Sequence, residues 1–433
     1  MQIHSGIIRR GIACLAFSVL VVIPVFAGGQ GEAASPAPGS QVEISFSTWL
    51  GLQEVSRDMM EEIVERFHAQ NPNIRVNLVG VPFENQLQQT MIAASGRNLP
   101  DIIHLVPSWV PPLYEMNALS DLTPLLSQSE FEDIQAGYRD AGTIDGDLVY
   151  TPLQNGSIVV LANRDLLRRA GLPEAIPETW DDFKEAVRRI SALGDDVYGF
   201  GMRTARAGNS AFWFLPILYG HEGTFEDADG NINFNTPGTI DAMEWLSEIG
   251  TQNQTPIGMG IPEVRTLFAQ GNVGFIFDGP WMKGVMRSIT GRGEEVDDEY
   301  IVGPMPRNPD GSRFTIANDH VLAISSTSPN KDAAMEFIRF LTMDEEITTF
   351  HYENMGAIPG YNSLASNQIY QDDPYIMTFI ESAEFASGNP SKNPNFTAAL
   401  EELASGMQEV LLGGDPAEVT AAVERSMQAV YDQ

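Results

Sequence analysis

After residue 40 the hydrophobic and polar positions change period repeatedly. Val42, Ile44 and Phe46 alternate with polar residues and predict a strand over 41–47. Met59, Ile63 and Phe67 recur at helical spacing through 58–68, until Asn71-Pro72-Asn73 breaks the run. Ile74, Val76 and Leu78 alternate again. A helix is predicted at 84–94, then a buried strand at 102–106 after Leu99-Pro100-Asp101. Strand, helix, strand, helix, strand implies a parallel α/β layer.

The pattern returns further on. Asp145-Gly146 predicts a hairpin over 144–150, and 156–162 reads as a strand. Thr179 caps a helix whose first turn carries Asp181 and Asp182. Asp229-Gly230-Asn231 is a tight turn, followed by helices at 237–249 and 263–270. Phe275-Ile276-Phe277 forms a short buried strand that Asp278-Gly279-Pro280 stops, leaving Trp281 just beyond its end. A strand at 320–324 precedes a helix at 330–341 that turns Ala334, Phe337, Ile338 and Leu341 inward. The tail, 396–430, is helical and interrupted at Gly413-Gly414-Asp415-Pro416.

With 433 residues, 43% of them hydrophobic, the chain can bury two packed lobes. Its 58 acidic against 25 basic residues give a net charge of -33, which repels nucleic acid and anionic membrane surfaces. Nucleic acid is therefore excluded as a partner. Arg9 and Arg10, the apolar run 11–26 and Val25-Phe26-Ala27 predict a signal peptide over 1–27, hence export to the periplasm or the extracellular space. The Gly-, Ala-, Ser- and Pro-rich stretch 28–40 reads as a flexible linker. The one cysteine, Cys14, lies inside the signal, so the mature chain would have no disulfide and no thiolate metal site.

Catalytic and metal motifs are missing: there is no His-Glu-x-x-His, Cys-x-x-Cys, Gly-x-Ser-x-Gly or P-loop. Neither a cofactor nor a metal is expected. Asp227, Asp229, Asn231 and Asn233 have some spacing of a calcium loop, but Gly230 comes too early and no acid closes it, so a solvated hairpin is expected. Among so many carboxylates a pair could still meet in a cleft, which keeps an exported glycan-cleaving enzyme open as an alternative.

The positive signal lies at the strand ends. They carry Ser47-Thr48-Trp49, Pro107-Ser108-Trp109, Gln154-Asn155-Gly156, Asp278-Gly279-Pro280-Trp281 and, just before a strand, Asn318-Asp319. In open α/β sheets ligands bind beyond such ends. A sugar offers a C–H face that packs on an aromatic ring and hydroxyls that pair with carboxylates and amides. The candidate ligand-binding residues are therefore Trp49, Ser108, Trp109, Asn155, Asp278, Trp281, Asn318 and Asp319. Trp180 and Trp245, within helices, are read as packing; Trp213 could line a groove but is read first as buried.

Several segments, in order, carry a resemblance: Phe67-His68-Ala69-Gln70-Asn71-Pro72-Asn73, Leu99-Pro100-Asp101-Ile102-Ile103, Asn163-Arg164-Asp165-Leu166-Leu167, Thr179-Trp180-Asp181-Asp182-Phe183, Phe277-Asp278-Gly279-Pro280-Trp281 and Lys331-Asp332-Ala333-Ala334. Over nearly all of 41–433 the chain resembles the extracellular solute-binding proteins of ABC importers, in the sugar-binding branch. The resemblance implies a two-lobed α/β fold of the type II periplasmic-binding-protein kind, each lobe a mixed sheet flanked by helices. It places three inter-lobe crossings near Gln154, near His320 and after Pro359. One lobe would be 41–153 with 323–365, the other 154–322 with 366–433. It further implies a monomer that closes on a sugar and presents it to a membrane-embedded ABC permease. In similar proteins the position of Trp281 stacks on the sugar, and the place of 106–108 binds hydroxyls. Here that place holds Val-Pro-Ser where many relatives have aspartate, and Asn318-Asp319 replaces glycine or tryptophan. The segment 389–396 corresponds to another cleft-lining loop. A cationic or peptide solute on the same fold is the alternative ligand.

Overall fold

The computed structural model describes residues 41–433 except Asn389 and Lys392. The expected signal peptide and linker, Cys14 and part of the 389–396 loop lie outside the described residues.

In chain order the strands are β1 (Val42–Thr48), β2 (Ile74–Gly80), β3 (Ile102–Leu105), β4 (Thr143–Ile144), β5 (Asp147–Leu148), β6 (Thr151–Gln154), β7 (Val159–Asn163), β8 (Tyr198–Phe200), β9 (Val273–Asp278), β10 (Tyr300–Gly303), β11 (Thr315–Ile316), β12 (His320–Ile324) and β13 (Ala386–Ser387). They make two main mixed sheets, β2-β1-β3-β12-β6 and β10-β7-β9-β8. β1 runs parallel to both β2 and β3, as the early alternation with helices implies, while β12 is antiparallel to β3 and β6. In the second sheet β7 is antiparallel to β9 and β10, and β8 is parallel to β9.

The first lobe's core forms where the helix Arg57–Gln70 buries Met59, Met60, Ile63, Val64 and Phe67. Phe67 packs edge-on against Phe337, their centroids 5.0 Å apart. Phe337 lies on the helix Lys331–Met343 and also meets Phe46 of β1 at 5.8 Å. Full burial of each such ring stabilises by about 1.5–3 kcal/mol. Asp101 fastens this layer: Oδ2 accepts from the Ser45 amide and hydroxyl at 2.8 and 2.7 Å, and Oδ1 from the Ser328 hydroxyl at 2.6 Å. In the second lobe Phe183, Phe200, Phe275, Phe277 and Trp245 form one aromatic cluster between the helices Trp180–Ser191 and Pro237–Thr251 and strands β8 and β9. Trp180 and Trp245 are buried there, as packing.

The chain leaves the first sheet after Gln154 and joins the second at Val159. The expected strand over 156–162 thus begins three residues late. Asn155 bridges instead to Ile358, and Ser157 to Ala317, so three chain segments lie side by side in this link. Gly156 is required in it: a Cβ there would stand 2.1 Å from the Asn318 carbonyl oxygen. The chain returns to the first sheet at β12. The expected lobe boundary between 322 and 323 falls inside that strand, whose His320 and Val321 already pair with β6. Strand register, which periodicity does not reveal, keeps all of His320–Ile324 in the first sheet. The helix Pro374–Ser382 then packs on β7 and β10 of the second sheet.

At 227–231 the turn closes on itself, with Asp227 Oδ1 accepting from the Asp229 and Asn231 amides, both at 2.9 Å. Among the described residues no cluster of metal-ligating side chains occurs, and no helix is long and apolar enough to cross a membrane.

Candidate functional site

A cavity of about 520 Å³ opens between the two lobes. Strand ends and the residues just past them build much of its wall. Trp49 follows β1, Gln154 ends β6, Trp281 follows β9 and His320 begins β12.

These side chains are locked by contacts with one another. Trp49 stacks on His104 at 3.5 Å, with 17° between the planes, and meets Trp109 edge-on at 6.2 Å. His320 stands edge-on to Trp49 at 5.0 Å and stacks on Trp281 at 5.1 Å and 18°. One histidine therefore joins the tryptophans of the two lobes. Burial pushes its pKa down to about 3, and that of His104 well below the usual range, so both are neutral imidazoles at pH 7.

Trp281 lies at the N-terminal end of the helix Met282–Thr290, with its ring over Gly279, where a Cβ would be 2.4 Å away. Its indole Nε1 donates to Asp278 Oδ1 at 2.7 Å. Asp278 is almost fully buried, and Arg265 donates to it from Nε and Nη2 at 2.8 and 2.7 Å. Arg203 Nη2 approaches the same carboxylate at 3.4 Å, and its guanidinium lies 3.2 Å above the Trp213 ring. Burial pushes the Asp278 carboxyl up, but Arg265 and Arg203 overcome it and hold it below the usual carboxylate range. Burial pushes Arg203 down to about 9, which leaves it charged at pH 7.

Of the eight expected contact residues, Trp49, Trp281 and Asn318 line this cavity. Ser108 and Trp109, with Asn318, line a smaller adjoining one of about 150 Å³. The other three line neither. Asp278 is spent on fastening the wall from behind. The Asn155 side chain accepts from the Ser157 amide at 3.1 Å within the inter-lobe link. Asp319 accepts from the Gly156 amide at 2.8 Å, beside Tyr138, and burial raises its pKa to about 6.

Sequence reasoning did not select Arg203, Arg265 or Glu84, which all line the cavity. Arg203 comes three residues after β8 and Arg265 from within the helix Ile261–Ala269, so neither sits at a recognisable strand end. Trp213, expected to be buried, is both buried and part of the wall.

Two mixed α/β lobes joined by several chain segments around a buried, aromatic-lined cavity define a protein that encloses a small solute. The comparisons agree. Residues 52–347 match the bacterial extracellular solute-binding protein family, and the chain belongs to that family. A binding protein of Brucella abortus is 24% identical over 364 residues, covering 82% of this chain and 85% of its own length. The maltotriose-binding protein of Pyrococcus abyssi is 19% identical over 388 residues, covering 88% of this chain and 81% of its own. An ABC transporter solute-binding protein of Thermotoga lettingae, solved with α-D-tagatose, superposes with a TM-score of 0.82 at 19% identity, over 90% of this chain and all of the other.

Proposed function

We propose that the chain captures a mono- or oligosaccharide in the inter-lobe cavity and delivers it to a membrane-embedded ABC permease, as an exported, monomeric protein without catalytic activity. The observation that carries this is the wall itself. The rings of Trp49, Trp213 and Trp281 stand beside the amides of Gln154 and Asn318, a combination suited to the apolar faces and the hydroxyls of a sugar. A relative named for maltotriose and a structural neighbour solved with α-D-tagatose support the same class of ligand. Arg203 and Arg265 in the wall weigh against the cationic alternative.

We read the lobes as 41–154 with 320–365 and 158–315 with 366–433, the intervening segments serving as the hinge. Closure would follow from tighter contacts in the closed state. Trp49, Trp281 and Asn318 are the central contacts in this reading, and Ser108 and Trp109 extend the site along the cleft.

Mass spectrometry of small molecules released from natively purified protein, followed by calorimetry with the sugars found, tests this. Trp281→Ala is expected to weaken binding at least about tenfold, because the wall loses a lining ring and the partner that holds His320 in place, with an unchanged circular dichroism spectrum. Unchanged affinity removes Trp281 from the site. Absence of binding across mono- and oligosaccharide panels refutes the reading.

A further inference from the structure

The polar groups behind the second-lobe wall do not balance. Asp278 Oδ1 accepts from Arg265 Nη2, the Gly279 amide and Trp281 Nε1, while Oδ2 accepts from Arg265 Nε and, at 3.4 Å, from Arg203 Nη2. A carboxylate offers about four lone-pair sites, so Asp278 is saturated. Two guanidinium groups share this one carboxylate, so on the second-lobe side one guanidinium lacks a carboxylate of its own; Glu84 across the cavity acts on Arg203 through its charge but makes no hydrogen bond to it.

Arg203 carries the deficit. Its side chain is 5% exposed, yet among the described residues Nη1 has no hydrogen-bond partner. Trp213, whose ring lies under that guanidinium, likewise has an unpaired indole Nε1. Both residues line the cavity. A buried, unpaired charged donor is costly, and burial of a net charge more so. A sugar hydroxyl could accept one of these N–H groups but would bring no counter-charge into hydrogen-bond contact with the guanidinium. An oxyanion would satisfy donors and charge together, and guanidinium groups fit carboxylates and phosphates well. The placement also runs against the rest of a chain whose net charge is -33. Across the cavity, the exposed Glu54 and Glu84 would repel an anion from the first-lobe side and pair with hydroxyls there.

We propose that the ligand is an acidic sugar, bearing a carboxylate or a phosphate group that seats at Arg203 and Arg265, with its neutral hydroxyl-bearing end toward Glu84 and Gln154. This rests on the saccharide reading above and adds the charge of the ligand to it.

The test is calorimetry on the full chain at pH 7 with matched probes: galactose, galacturonate and galactose 6-phosphate, and the glucose series likewise. At least one charged probe is expected to bind about tenfold or more tightly than its neutral parent. Which of the two does so tells a carboxylate from a phosphate ligand. Arg203→Gln is expected to lower the ratio of charged-probe to neutral-parent affinity about tenfold, to near one. If the variant does not fold, Arg203→Lys, which keeps the charge but loses the planar fork, is expected to narrow the margin. A preference for charged probes that survives both substitutions overturns the assignment to Arg203. Neutral parents that bind as tightly as the charged probes overturn the acidic ligand and leave the saccharide reading standing. No binding by any probe overturns the acidic-sugar assignment; the saccharide reading falls only if the mono- and oligosaccharide panels also show no binding.

Discussion

Asp278 shows how a residue can matter to a site without facing it. The chain around it reads as a strand stopped by a turn, and an acid beside a tryptophan there looks like a sugar contact. Instead its carboxylate anchors Arg203, Arg265 and Trp281 from behind. Asp278→Asn is expected to lower unfolding free energy by about 3–5 kcal/mol, the usual cost of removing one partner from a buried ion pair, read by urea denaturation at pH 7. Because the folded-state pKa is depressed, this contribution is present above the unfolded value of about 3.9 and is lost as pH falls through the folded one. The gap between variant and parent should therefore close in strong acid. The strand-end tryptophans were legible because a large ring just past an apolar run has few places to go. Arg203 and Arg265 were not, since their shared carboxylate lies 75 and 13 residues away along the chain.

At the scale of elements, local chemistry was most readable where a cap or a breaker marks a boundary. Thr179 does cap the helix Trp180–Ser191, its hydroxyl oxygen accepting from the Asp182 amide at 3.2 Å. Thr179→Ala should cost about 1 kcal/mol, and the midpoint of urea unfolding will show it; no change would mean the cap is redundant with packing. The tail helices Phe396–Leu411 and Pro416–Tyr431 break at the expected Gly-Gly-Asp-Pro. The short strands β6, β8 and β10, of three or four residues, gave no alternation long enough to read. Gly156 and Ser157, the first residues of the strand expected over 156–162, belong to the link instead, because a segment pairing with distant segments leaves no local period.

The whole molecule buries charge-bearing groups that respond to pH. His351 is buried, its Nε2 has no partner among the described residues, and burial pushes its pKa down to about 4. For a histidine depressed in this way the unfolded chain takes up protons first. Stability is full above the unfolded pKa of about 6.5 and falls as pH drops toward 4. His104 and His320 act in the same direction. Asp319 works the other way: raised to about 6, it makes stability fall as pH rises from about 4 toward that value. His351→Leu should flatten the acid limb by up to about 1.4 kcal/mol per pH unit between pH 6 and 4.5, in unfolding curves measured at several pH values. An unchanged slope would mean that His351 titrates normally.

Periodicity by itself determined the alternation of strands and helices, and through it the α/β class. Turn residues determined where the elements stop, and composition determined the acidic exterior, because each of these depends on neighbours along the chain. Only the tertiary structure decided which strand-end side chains share one cavity, that Asp278 holds the wall and Asp319 the link, and that two arginines from unrelated segments converge with a tryptophan on one carboxylate. Those outcomes depend on sheet order and register, which bring together residues that no local pattern connects.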